Sequence, residues 1–119
     1  MVGEGYREID ALVDEIADEL YELKATEKRY LWRALDGVAY ASRSFAYAKD
    51  SCMPDDIADV GRYLQSARDW LEMAARSGEI PEEKEEKYRG LLEKLDDLER
   101  LMRRAMREIC SCHPLKPRR

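Results

Sequence analysis

Cys110-Ser111-Cys112-His113 places three ligand-type side chains within four residues. Thiolate and imidazole are donors that zinc favours, and Cys52 offers a fourth. A Cys₃His site built from Cys52, Cys110, Cys112 and His113 needs all four to converge as a tetrahedron. Helical residues two apart point about 200° from one another, so the helix would have to unwind before Cys112. The same sulfurs can instead join Cys52 to Cys110 or to Cys112. Three unpaired, partly buried thiols acting as small hydrophobes are the leading expectation. The bridge comes second and zinc third.

Arg107 and His113 are spaced as Arg-x5-His. Arginine carries a permanent charge and histidine titrates near neutral pH, which suits phosphate binding and proton transfer. The spacing resembles the motif of the HEPN superfamily of helical ribonucleases. That resemblance implies that Arg107 stabilises phosphate charge and that His113 moves a proton near a 2′-hydroxyl. His113 precedes Pro114, however, so it falls where the helix must stop.

Two carboxylate pairs share helical faces, Glu19-x-x-Glu22 and Glu93-x-x-Asp96. They resemble the magnesium-holding pairs of helical nucleotide pyrophosphatases of the MazG type. Here a whole helix pair separates them, where that family uses a short linker. A ferritin-like di-iron site needs two Glu-x-x-His motifs, and His113 is the only histidine. Phosphate-binding glycine loops and Ser–His–acid arrangements are missing. No cofactor is expected.

The elements that position these residues are helical. Pro81 to Cys110 carries a heptad seam of Tyr88, Leu91, Leu95, Leu98, Met102, Ala105 and Ile109. Steps of three and four keep these residues on one stripe, which demands a partner surface. Pro81 is expected at the first helical position, where its missing N–H costs nothing. The helix would be about 45 Å long at ~1.5 Å per residue. It would outreach the first helix, so part of the seam would project.

Helix 1 is expected over Tyr6 to Leu23, with Ile9, Leu12, Val13, Ile16, Leu20 and Leu23 inward. Helix 2 is expected over Glu27 to Lys49, after a break near Ala25-Thr26 with Thr26 as N-cap. One continuous helix 1–2 is the alternative. Small residues such as Gly37, Ala41 and Ala48 make helix 2 the central helix. Helix 3 is expected over Pro54 to Ser77, with Ile57, Val60, Leu64, Ala67, Leu71 and Ala74 inward. Gly78 suits a left-handed C-cap. The fold class is all-α: an up-and-down antiparallel bundle of three to four helices ending in a long heptad helix. Residues 1–112 form one domain and 113–119 a basic tail. Cys52 and the end of helix 4 then lie at the same pole.

The net charge of −5 disfavours duplex binding by the surface as a whole. Residues 1–25 hold eight acids against Arg7 and Lys24, whereas Arg100 to Arg119 holds seven bases against Glu108. The two ends are expected to attract one another, and nucleic acid fits only the basic end. Asn is absent, and Gln65 and Thr26 are the single examples of their types. Scarce amides beside abundant charge match a thermophilic, archaeal source. No signal-peptide pattern and no apolar run of spanning length is present, so a cytoplasmic location without membrane contact is expected.

Residues 39–78 resemble an archaeal family of small all-helical domains of unknown function. The stretch reads Ser66-Ala67-Arg68-Asp69-Trp70-Leu71-Glu72, then Gly78. Trp70, Leu71, Glu72 and Gly78 fall at the family's separations, Asp56 at its turn acid and Ala48 at a small position. Ser66 replaces its tyrosine and Asp69 its first glycine. The resemblance implies an archaeal helical domain and supplies no activity.

The leading reading is a non-enzymatic interaction or scaffold module. It self-associates as a coiled-coil dimer, or docks a helical protein partner, through the seam from Tyr88 to Ile109. The alternative is a HEPN-like RNA-binding protein or ribonuclease using Arg107 and His113.

Overall fold

A computed structural model of the chain describes residues 2–23 and 29–111, with side chains from Arg7 onward. Four α-helices are present: α1 Val2–Leu23, α2 Arg29–Ser51, α3 Pro54–Arg76 and α4 Glu85–Ser111. A 3-10 turn, Glu82–Lys84, leads into α4. No strand occurs among the described residues. The helices run up and down, each antiparallel to the one before. Tyr40 lies beside Tyr63 and Tyr30 beside Trp70, so α2 and α3 run in opposite directions. Lys87 reaches Glu22 while Lys94 reaches Glu15, which sets α4 antiparallel to α1.

Helices 1 and 2 are separate. The rings of Tyr21 and Trp32 lie 6.1 Å apart. Eleven residues along one continuous helix would separate them by about 16 Å. The proposed break at Ala25-Thr26, with its Thr26 cap, lies outside the described residues.

Local chemistry sets the other boundaries. Pro54 opens α3 after the extended Met53, as its lack of an N–H permits. Ser51 supports the turn: its hydroxyl donates to Asp56 at 2.5 Å and accepts the Met53 N–H at 3.2 Å. At the other end of α3, Gly78 adopts φ +83°. The Gly78 N–H donates to the Ala75 carbonyl and the Glu79 N–H to the Ala74 carbonyl. That paired pattern is a Schellman cap, which needs a left-handed residue at this position.

Pro81 does not take the first position of α4. It is extended (φ −64°, ψ 153°) and caps the 3-10 turn, its carbonyl accepting the Lys84 N–H at 2.9 Å. The α-helix starts four residues later than expected. Helix 1, in turn, begins at Val2 rather than Tyr6.

Twenty apolar side chains form the buried core, and no polar or charged side chain is buried among the described residues. Helices α1 and α3 contribute their expected stripes, with Leu12, Val13 and Ile57 only half-buried, and α2 buries Leu31, Ala34, Gly37, Val38, Ala41, Phe45 and Ala48. Leu91, Leu95, Leu98 and Met102 are buried inside the chain, while Tyr88 and Ala105 pack against the core edge. Ile109 is half-buried. The seam therefore finds its partner surface in α1, α2 and α3. Its last core residue is Met106, one position beyond the expected Ala105, because the contact advances by four residues from Met102. No part of α4 projects: Met106 is 3% exposed, and Cys110 is tied to Cys52.

Candidate interaction surface

With a wholly apolar interior, the chemistry of the described residues lies on the outer faces. At one pole, Cys52 and Cys110 form a disulfide with Cα atoms 5.5 Å apart. The expectation of three unpaired thiols is thus overturned for these two. Antiparallel α3 and α4 carry the chain away from this pole and back, which brings residues 58 positions apart together. The bridge occupies two of the four sulfur and nitrogen donors proposed for zinc. Cys112 and His113 lie outside the described residues. No group of three His, Cys, Asp or Glu side chains able to hold a metal occurs among the described residues.

Cys52 has an unusual backbone. Its φ is +53°, the one positive value at a non-glycine residue described. Its N–H donates to the Ala48 carbonyl at 2.8 Å, closing α2 with a left-handed cap that glycine ordinarily supplies. The Cβ strain is borne where the side chain is committed to a crosslink.

Arg107 is exposed on α4. Its suggested companion His113 is not among the described residues, nor are Lys116, Arg118 and Arg119 of the basic tail. Upstream, Arg103 donates to Glu99 through Nε at 3.0 Å and Nη2 at 2.7 Å, and Arg100 pairs with Asp97.

Three of the four carboxylates, Glu19, Glu22 and Asp96, are committed to ion pairs between helices, and Glu93 is exposed on α4. Glu22 accepts from Lys87 at 2.6 Å, and Lys94 bridges Glu19 and Glu15. The hydrogen bond from Lys87, then its charge, holds the Glu22 carboxyl below the usual range. Hydrogen bonds to Glu15 and Glu19 raise the Lys94 ammonium above its ordinary value. So among the described residues the acidic start meets bases within the chain at Lys87 and Lys94, while Lys116, Arg118 and Arg119 of the basic end lie outside them. Asp96 accepts from Arg68 at 2.7 Å, and Arg68 also reaches Glu99 at 3.3 Å. Burial alone would raise the Glu99 carboxyl; Arg103 and then Arg68 outweigh it and lower it.

The outer face of α2 and α3 differs in kind. Among the 46 residues of these two helices stand one Lys (Lys49) and one Glu (Glu72), against twelve Lys or Glu in α1 and α4. Aromatic side chains are concentrated in α2 and α3, seven against three in α1 and α4, while each pair of helices carries six arginines. Tyr30 stacks on Trp70 at 5.5 Å, and the Arg33 guanidinium lies 4.9 Å from the Trp70 ring. Tyr40 meets Tyr63 at 5.4 Å, with Arg43 5.4 Å from the Tyr40 ring. Between these clusters Gly37 lets the helices close up; a Cβ there would lie 2.9 Å from that of Ala67. Trp32, Tyr40 and Tyr47 are 43%, 46% and 70% exposed. An open groove of about 750 Å³ along α3 is walled by Tyr63, Trp70 and Met73, with Asp59 and Arg62 at its rim. Exposed Tyr and Trp where Lys and Glu are scarce match two compositional marks of protein interfaces.

Helical spacing alone does not separate aromatic residues that pack the core from those that face outward. The separation follows from the helix angle: Trp32, Tyr40 and Tyr47 lie opposite Ala34, Ala41, Phe45 and Ala48. No protein-family model, curated protein or solved structure matches this chain. No helix among the described residues is long and apolar enough to cross a membrane.

Proposed function

We propose that this chain is a small helical interaction module that self-associates through the outer face of its α2–α3 layer. The observation that carries the reading is the exposed aromatic and arginine surface of that layer, on a molecule whose other two helices are coated with Glu, Lys and Arg. Exposed Trp and Tyr rings lose water-contacting apolar area only when a partner covers them. The heptad seam of α4 does not serve as the docking edge in this reading, because it is spent on the chain's own core.

The setting that fits is the cytoplasm of a thermophile, archaeal by its scarcity of amides. Intracellular disulfides persist in such organisms, which accommodates the Cys52–Cys110 bridge.

Sedimentation of the oxidised full chain over a wide dilution series tests the reading. The expected result is a sedimentation coefficient that rises with concentration towards that of a dimer. A single monomeric species throughout the series would contradict it.

A further inference from the structure

The solvent face of α2 reads almost the same in both directions. Its outermost positions follow steps of three and four: Arg29, Trp32, Asp36, Ala39-Tyr40, Arg43, Tyr47 and Asp50. All are exposed, and they lie opposite the buried stripe running from Leu31 to Ala48. Reflection about the midpoint between Ala39 and Tyr40 exchanges Asp36 with Arg43 and Trp32 with Tyr47. It also exchanges Arg29 with Asp50, and Ala39 with Tyr40. Each acid is exchanged with a base, each large ring at the ends with another ring, and the small residue with the large one.

We propose that two copies of this chain pair α2 against α2 in antiparallel fashion, about a two-fold axis passing between Ala39 and Tyr40. The inference rests on the self-association reading above and fixes its geometry. A two-fold interface brings each residue of one copy to the mirror position of the other, so only a self-complementary stripe can form one. In this register Asp36 faces Arg43 of the second copy, and Arg43 faces its Asp36. Arg29 and Asp50 pair likewise at the two ends. Trp32 and Tyr47 cover one another between the charges, and Tyr40 sits over the small Ala39.

Charge complementarity selects a second copy over an unrelated partner. The two arginines and two aspartates of the stripe sum to zero, within a chain of net charge −5. Two acidic molecules therefore meet across a neutral strip. Asp36 and Arg29 have no ion-pair partner among the described residues, and the 82% exposed Asp50 side chain lies only loosely, at 3.8 Å, from its own Lys49. Contact along one helix of 23 residues lies at the small end of interface sizes, so the dimer is reversible.

Charge exchange tests the register with the full oxidised chain. Asp36→Arg sets arginine against arginine twice in each dimer, and Arg43→Asp sets acid against acid twice. Each single variant should weaken dimerisation roughly 30-fold or more in light scattering, since two attractive contacts become repulsive. The double variant D36R/R43D should recover the dimer. An equimolar mixture of the two single variants should also recover it, as a heterodimer with both contacts attractive. Both sites are exposed helical positions, and circular dichroism with thermal melting confirms that each variant is folded. If one single variant failed to fold, the other single variant and the double variant would be the deciding samples. If the wild-type chain dimerises and the single variants dimerise equally well, the α2 register is wrong while self-association stands. If the wild-type chain stays monomeric, self-association itself fails. Weakened single variants that neither mixing nor the double change restores would also overturn the register.

Discussion

The Glu79 carboxylate caps α2 from the far side of α3. The Tyr30 N–H donates to both of its oxygens, at 3.1 and 3.0 Å, and the Leu31 N–H to Oε1 at 3.2 Å. These N–H groups open the first turn of α2 and have no acceptor within the helix. A carboxylate there also faces the positive end of the helix dipole. The Schellman turn at Gly78 delivers Glu79 to this position, so one glycine ends α3 and places the cap of α2. Glu79→Ala should lower stability by about 1–2 kcal/mol, read from urea unfolding. Glu79→Gln, which keeps an acceptor oxygen, should cost less.

The Cys52–Cys110 bridge closes a loop spanning 58 positions. In the chain-entropy account such a loop is worth about 4 kcal/mol. Thermal unfolding with and without reductant should therefore differ by roughly 10–20 °C. A second effect separates backbone from crosslink. Under reducing conditions Cys52→Gly should be more stable than Cys52→Ser by about 1 kcal/mol, because glycine adopts the positive φ freely.

Gly37 sets the spacing of the α2–α3 layer. An alanine would gain about 1 kcal/mol of helix propensity at this position. Its Cβ, however, would stand 2.9 Å from the Ala67 Cβ and 3.0 Å from the Ala67 Cα. Backbone cannot swing aside as a flexible side chain can, so the helices must separate. Gly37→Ala should destabilise by a net of about 1–3 kcal/mol in denaturant unfolding.

Much of this fold is legible from residue spacing. Val60, Leu64, Ala67, Leu71 and Ala74 are the buried stripe of α3 as read from periodicity, and Gly78 is the left-handed cap expected of it. Antiparallel succession brings Cys52 and Cys110 to one pole, but spacing leaves the choice between bridge and thiols open. The interface expectation misjudged the α4 seam. A heptad stripe demands a partner without stating whether the partner is the same chain, and here it is. The outer face of α2 was hidden because Trp32, Tyr40 and Tyr47 sit at helical spacing too. Their exposure emerges only once Leu31, Val38 and Phe45 define the inward direction. Glu79 is invisible to local pattern, since the helix it caps begins nearly fifty residues earlier. The Pro81 boundary shifted because proline suits a 3-10 entry as well as an α-helical one.

Glu99 ties α3 to α4 through Arg68, and Arg103 bonds the same carboxylate. Its carboxyl is lowered on folding, so the stability it contributes is complete above pH 4.5, the ordinary glutamate value. That contribution is lost as pH falls through the lower folded value. Unfolding free energy measured from pH 7 down to pH 3 should decline below pH 4.5, and Glu99→Gln should flatten part of that decline. An unchanged slope in the variant would assign the acid sensitivity to other carboxylates.

Hydroxyl-radical footprinting of the oxidised chain in dilute and concentrated solution reads directly which face a partner covers. Tyr47 is 70% exposed, Trp32 is 43% exposed, and Tyr88 is half-buried on α4. Self-association through α2 predicts that Trp32 and Tyr47 react more slowly on concentration while Tyr88 keeps its rate. Unchanged rates at Trp32 and Tyr47, or protection confined to α4, would contradict the account.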